Sequence, residues 1–215
     1  MTERLLYIYG AGGHAKVVAD AAMTIGYTVL GFFDADLSKT NTALLGYPVS
    51  VMDERSAAVV CLERRAHAVI AIGSNSVRKR MFDTFQSAGV PIATIVHSRA
   101  VVSPYAHVGE GTVVFAGAVI NAAARVGRNV IINTIASVGH DDIIGDHVHI
   151  SSGVRIGGTA AVGEGTQISI GSTIRNNTSV GAWSMVGAGS VVVKDLPGHV
   201  VAYGVPARVI RPFSC

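Results

Sequence analysis

Every sixth residue from Val102 to Val192 is Val or Ile, sixteen positions in succession without a slip in phase. Amphipathic helices repeat their apolar positions at about 3.6 residues and half-buried strands at about 2. A period of six is neither; it marks a hexapeptide repeat, the unit of a parallel β-helix. Each unit supplies one short strand and one turn, and three units close a triangular coil. The Val or Ile points into the triangle, where a stiff β-branched side chain packs well on its counterpart one coil away. The fifth position of each unit also faces the interior and is small almost throughout, as at Ala118, Ala124, Ala136, Ala160, Thr166 and Ser172. Asp142 breaks that rule. The second position is often glycine, as at Gly109, Gly127, Gly139, Gly157 and Gly163, where it is read as relieving a tight turn.

The first 95 residues follow other periods. Leu5–Tyr9 reads as a strand, Gly10–Ala15 as a glycine turn, and Lys16–Ile25 as a helix ended by Gly26. Val29–Phe33 is a second strand running into Asp34 and Asp36, and Ala68–Ile72 is a later one followed by Gly73-Ser74-Asn75. Residues 76–88 have helical spacing and carry Arg78. Strands alternating with helices predict a small Rossmann-like α/β domain with a parallel sheet. The expected layout is an α/β domain over 1–95, a β-helix over 96–193 and a cap over 194–215, since a solenoid needs its end covered.

Composition narrows the classes. The chain is 49% apolar and 14% charged, yet glycine, Asn or a charge interrupts every apolar stretch before membrane-spanning length. A formal charge of +3 without a basic run argues against nucleic acid. The start, MTERLLYIYG, runs straight into a folded pattern rather than a secretory leader. Two cysteines, Cys61 and Cys215, form no disulfide framework, so a cytoplasmic protein is expected.

Two regions carry candidate chemistry. Gly10, Gly12 and Ala15 fit G-x-G-x-x-G/A between a strand and a helix, and Asp34 follows about 20 residues on, at a strand end. Backbone N–H groups at a helix N-terminus bind phosphate, and a strand-end carboxylate can hold a ribose or base edge. Gly73, Asn75 and Arg78 follow another parallel strand, where open α/β sheets place their ligands. On the coil, His140 is followed by Asp141 and Asp142, and His149 lies nine residues on, on an adjacent rung. An imidazole oriented by a carboxylate is a general base near neutral pH, and either aspartate could orient it. With His147, these histidines also raise a zinc-lyase reading, but their spacing suits a metal poorly. His107 is read as lying on a surface turn.

These motifs together resemble the hexapeptide-repeat acyltransferases. The closer likeness is to the family of sialic-acid O-acetyltransferases and N-acetyltransferases of nucleotide-linked 4-amino-sugars, such as UDP-bacillosamine precursors and GDP-perosamine. It rests on Gly10–Val18, on Ala71–Asn75 with Arg78, on Ser137–Asp141, on His147–Ser151 and on Gly204–Arg208. The resemblance implies a left-handed coil, a homotrimer and acetyl-CoA as co-substrate, with no metal. It implies His140 as base with Asp141 as its partner, where the family often has Glu, and His149 as hydrogen-bond donor to the acetyl carbonyl. Gly158 and Ala188 would line the pantetheine groove, and Arg208 would meet the CoA phosphates or adenine. Gly12, Gly13, His14, Asp34 and Asp36 would form the nucleotide pocket, with Gly73, Asn75 and Arg78 beside it. No cysteine lies on these rungs, so direct transfer is expected. A sugar O-acetyltransferase and a non-catalytic nucleotide-sugar scaffold are the alternatives.

Overall fold

The computed structural model describes residues 3–214 and divides into two compact units, Met1–Ser98 and Arg99–Cys215. Cys215 lies outside the described residues. No helix among the described residues is long and apolar enough to cross a membrane.

The first unit runs β1 (Arg4–Tyr9), α1 (Gly13–Met23), β2 (Tyr27–Asp34), β3 (Ala43–Leu44), β4 (Tyr47–Val51), α2 (Glu54–Glu63), β5 (His67–Ile70) and α3 (Asn75–Ser87). The sheet order is β3-β4-β2-β1-β5, with β1 parallel to both β2 and β5. The chain therefore winds one way from β1 to β2 and β4, then returns to the other side of β1. The crevice beyond the C-terminal ends of β1 and β5 is the switch point of this sheet. Tyr9, Phe33, Ile70, Phe82, Phe85 and the α2 residues Ala57, Ala58 and Cys61 form one continuous core layer. Burial pushes the Cys61 thiol up to about 12, so it behaves as a small core hydrophobe. The periodicity of residues 43–63 did not reveal the β3–β4 hairpin or α2. Pro48 interrupts any strand pattern there. The start of α2 is instead fixed locally, by Asp53 Oδ1 accepting the Ser56 N–H at 2.8 Å.

The second unit is a left-handed parallel β-helix. Its strands are two residues long, and coil stacks on coil at an 18-residue offset, as in Val119↔Ser137 and Ile131↔His149. The sixfold residues fill the interior: Ile132, Val138, Ile150, Ile168, Val186 and Val192 are fully buried. Backbone N–H groups at second positions donate to the first-position carbonyl one coil on, as in Gly127 N to Ile144 O and Gly157 N to Ile174 O. The turns differ from expectation. The left-handed residue is the fourth of each unit from Val108 to Val186, for example Asn129, Ile135 and Asp141, at φ between 52° and 60°. Second-position glycines serve close approach instead: a Cβ at Gly139 would lie 2.6 Å from the Gly158 nitrogen. The strand Val200–Gly204 continues the ladder beside Met185–Val186, and Ala207–Pro212 folds back on it antiparallel.

Candidate functional site

The residues singled out from the sequence fall into separate groups. The first surrounds the switch point. Gly10 takes φ +111°, and a Cβ there would come 2.6 Å from the Ala71 carbonyl, so only glycine lets the β1 loop pass the end of β5. Gly12 and Gly13 instead border open space and lead into α1 with its N–H groups uncovered by any side-chain cap. Asp34 braces this loop. Its Oδ2 accepts Ala11 N at 2.8 Å and the Lys39 ammonium, and its Oδ1 accepts Asp36 N at 3.0 Å. Burial alone would raise the Asp34 carboxyl; Lys39 and the two N–H donors outweigh that and hold it below the usual carboxylate range. Asp36 is spent locally, accepting Ser38 N at 2.9 Å to cap a short 3-10 turn. Both acids therefore shape the loop before they meet any ligand. Lys39, which no motif pointed to, is part of that brace.

Arg78 is not a solvated helix charge. It is 1% exposed, and its Nη1 donates to the Ile72 and Gly73 carbonyls at 3.2 and 3.4 Å. Burial lowers its pKa to about 9. His14 is lowered to about 4, by burial first and by the Arg78 charge second. The glycine loop and the loop after β5 are thus electrostatic neighbours, and His14 is neutral at neutral pH. Ser74, Asn75 and α3 complete the rim. A groove of about 810 Å³ between α2 and α3, lined by Arg55, Val59, Leu62, Lys79 and Arg80, contains none of Gly12, Gly13, His14, Asp34, Asn75 and Arg78. The oriented N–H groups of the glycine loop and the buried Arg78 cation lie instead at the switch point.

The second group occupies one corner of the coil, between the strands Ser137–Val138 and Ile143–Ile144. His140 Nδ1 lies 2.7 Å from Asp141 Oδ2, with the pair 68% and 58% exposed. The left-handed φ of 60° at Asp141, tolerable for a short polar side chain, accompanies this arrangement. With Nδ1 donating to the carboxylate, Nε2 is left as the basic atom. Gly158, one coil on, lies directly behind the ring, and any Cβ there would collide with Nε2. Asp142, by contrast, is fully buried and turned into the coil, so Asp141 is the carboxylate in contact with His140. Burial pushes the Asp142 carboxyl up, opposed by the N–H groups of Ala160 and Gly139.

His149 does not join this corner. It lies on the strand His149–Ile150, in the sheet with Ile131 and Gln167. That sheet is the third side of the triangle, opposite the corner between the other two. Ile150 points inward and His149 outward, with Nε2 3.4 Å from Asn133 Nδ2. Within one chain the two histidines therefore face away from each other, although nine residues apart. Ala188 is exposed on the corner adjoining the His149 side, and Arg208 is exposed on the terminal hairpin. His147 is buried with Nδ1 2.8 Å from Asn129 Nδ2, and His107 begins a strand rather than a turn. No three His, Cys, Asp or Glu side chains among the described residues converge on a point that could hold a metal ion.

The chain matches the model of the PglD N-terminal domain over residues 5–85. Over nearly its whole length it superposes on a variant of perosamine N-acetyltransferase from Caulobacter crescentus solved with CoA and GDP-perosamine. The two are 37% identical with a TM-score of 0.91, over 96% of each chain. The chain belongs to the nucleotide-amino-sugar N-acetyltransferase family. The acetyltransferase domain of PglB from Neisseria gonorrhoeae, solved with acetyl coenzyme A, is a second member. It is 33% identical with a TM-score of 0.89, over 97% of this chain and all of that one. WeeI from Acinetobacter baumannii shares the fold at 24% identity.

Proposed function

We propose that this protein transfers the acetyl group of acetyl-CoA to the 4-amino group of a nucleotide-linked 4-amino-4,6-dideoxyhexose, UDP- or GDP-linked, of which GDP-perosamine is one. The observation that carries the reading is the His140–Asp141 pair at 2.7 Å with Nε2 uncovered by the missing side chain of Gly158. The amine nitrogen attacks the thioester carbonyl, its proton passes to His140 Nε2, the C–S bond breaks, and CoA thiolate leaves and is protonated. Asp141 fixes the ring tautomer and stabilises the imidazolium as it forms. The switch point supplies the nucleotide end. The N–H groups of the glycine loop, Asn75 and buried Arg78 suit a diphosphate, and Asp34 and Asp36 border the nucleoside.

We assign His149 to the acetyl carbonyl, with Gly158 and Ala188 along the pantetheine and Arg208 at the CoA phosphates. Because His149 faces away from His140, these roles require a second copy, with its His149 side set against the first copy's His140 corner. A homotrimer closes this heterologous contact into a ring. We assign the reaction to the cytoplasm, a reading supported by acetyl-CoA as co-substrate and by two cysteines that form no disulfide framework. A sugar hydroxyl is the alternative acceptor. Titration with CoA and thiol-release kinetics on His140→Asn test the reading. CoA affinity should be unchanged, with kcat down by a factor on the order of 100 to 10,000. Turnover at the wild-type rate would remove His140 from the chemistry.

A further inference from the structure

One rung of the β-helix departs from the regular ladder, and it carries His140. The rungs on either side pair two residues each, Val119↔Ser137 with Ile120↔Val138, and Arg155↔Thr173 with Ile156↔Ile174. Between them only Ser137↔Arg155 pairs. Gly139 N does not follow the second-position rule; it donates to Asp142 Oδ2 at 2.6 Å. Many fifth-position N–H groups close onto the carbonyl three residues back, as in Ala136 N to Asn133 O and Val154 N to Ser151 O, and others onto a threonine hydroxyl. Ala160 N donates instead to Asp142 Oδ1 at 2.8 Å. One buried carboxylate stands in for two backbone acceptors.

Those two donors bracket the transfer site. Gly139 immediately precedes His140. Ala160 follows Gly158, which backs the His140 ring, and Thr159, whose N–H donates to the His140 carbonyl at 2.9 Å. The coil has its own way of bridging turns without a carboxylate. Thr112 Oγ1 accepts Val130 N at 3.0 Å and donates to Gly127 O at 2.8 Å; Thr166 does the same with Ser184 N and Gly181 O. A carboxylate has no proton to donate but two oxygens to accept with, so at position 142 the second oxygen turns back to Gly139. Packing does not demand this group: the equivalent positions one coil before and after are Ala124 and Ala160.

We propose that Asp142 is a positioning residue of the transfer site. It holds the His140 turn off the regular ladder and locks it to the Gly158 turn, acting through His140 and not on the substrate. The proposal rests on His140 being the base. The tests are Asp142→Thr, which installs the coil's own hydroxyl bridge to Ala160 but releases Gly139, and Asp142→Ala, which restores the alanine column. Both should fold, bind CoA with unchanged affinity and show KM values within about threefold of wild type. Their kcat should fall by a factor on the order of 100, the scale of a misplacement of about 1 Å in a reacting group. His140→Asn is measured in parallel. Full turnover in Asp142→Thr beside an inactive His140→Asn overturns the inference and leaves the base standing. Full turnover in His140→Asn overturns the base itself. Loss of the folded state in both variants, and in Asp142→Asn, assigns the carboxylate to stability and also overturns the inference.

Discussion

Gly158 shows how a single absent side chain can matter to chemistry. The Cβ of an alanine there would occupy the space against His140 Nε2, so Gly158→Ala should displace the ring or cover its basic atom. We expect a kcat loss on the order of 100-fold with a cooperative melt retained, checked by steady-state kinetics and thermal denaturation of one preparation. His14 gives a second prediction, in stability. Its folded pKa of about 4 lies below the usual histidine value of about 6.5 because burial and Arg78 disfavour its charged form. Between these values the unfolded chain binds the proton that the native chain refuses. Stability is thus full above about pH 6.5 and falls as pH drops toward about 4. Denaturant melts should show this slope, and His14→Gln should flatten it. The two histidines also differ in legibility. The sequence placed a carboxylate beside His140, and in the folded chain it is Asp141 that touches the ring. Nothing in the sequence told that His14 would be buried within reach of the Arg78 charge, because that neighbour arrives through the sheet.

At the scale of elements, the sixfold period specified nearly every strand of the second unit, because in a solenoid each side chain's direction follows from its phase. Phase also located Asp142 as an anomaly. It did not report the left-handed fourth position or the close-approach role of second-position glycine, since both depend on the path of the coil above. The same logic separates His140 from His149. Nine residues is half of the 18-residue coil offset, and half a coil leads from a corner to the opposite side. In the first unit, β1, α1, β2 and β5 were legible from apolar runs and glycine punctuation. The β3–β4 hairpin and α2 were not, because their burial is set by packing on the sheet. The Asp34 brace is an element-scale device, joining the β2 end, the β1–α1 loop and Lys39. Asp34→Asn removes its charge; the KM for the nucleotide sugar should rise about tenfold with kcat within about twofold. Isothermal titration with the nucleoside diphosphate should show the same loss, about 1.4 kcal/mol.

For the whole molecule, the roles proposed for His140 and His149 call for a site between copies, because the two face away from each other within one chain. Mixing His140→Asn and His149→Ala chains under conditions that exchange subunits should recover activity neither has alone. In random trimers about a quarter of the interfaces pair an intact His140 with an intact His149, so about a quarter of wild-type turnover is expected. Mixing without recovery would place both histidines in one chain's site. The family membership of the chain fixes the reaction class, and the fold carries the proposed nucleotide end and the proposed imidazole base on separate units. The decisive measurement is CoA thiol release by the wild-type protein with acetyl-CoA and UDP-, GDP- and dTDP-linked 4-amino-4,6-dideoxyhexoses, set beside free amino-sugars and sialic acid. Turnover with a nucleotide-linked amino-sugar, matched mole for mole by N-acetylated product and lost in His140→Asn, is the result expected. Turnover confined to free sugars, or acetylation on oxygen, would contradict it.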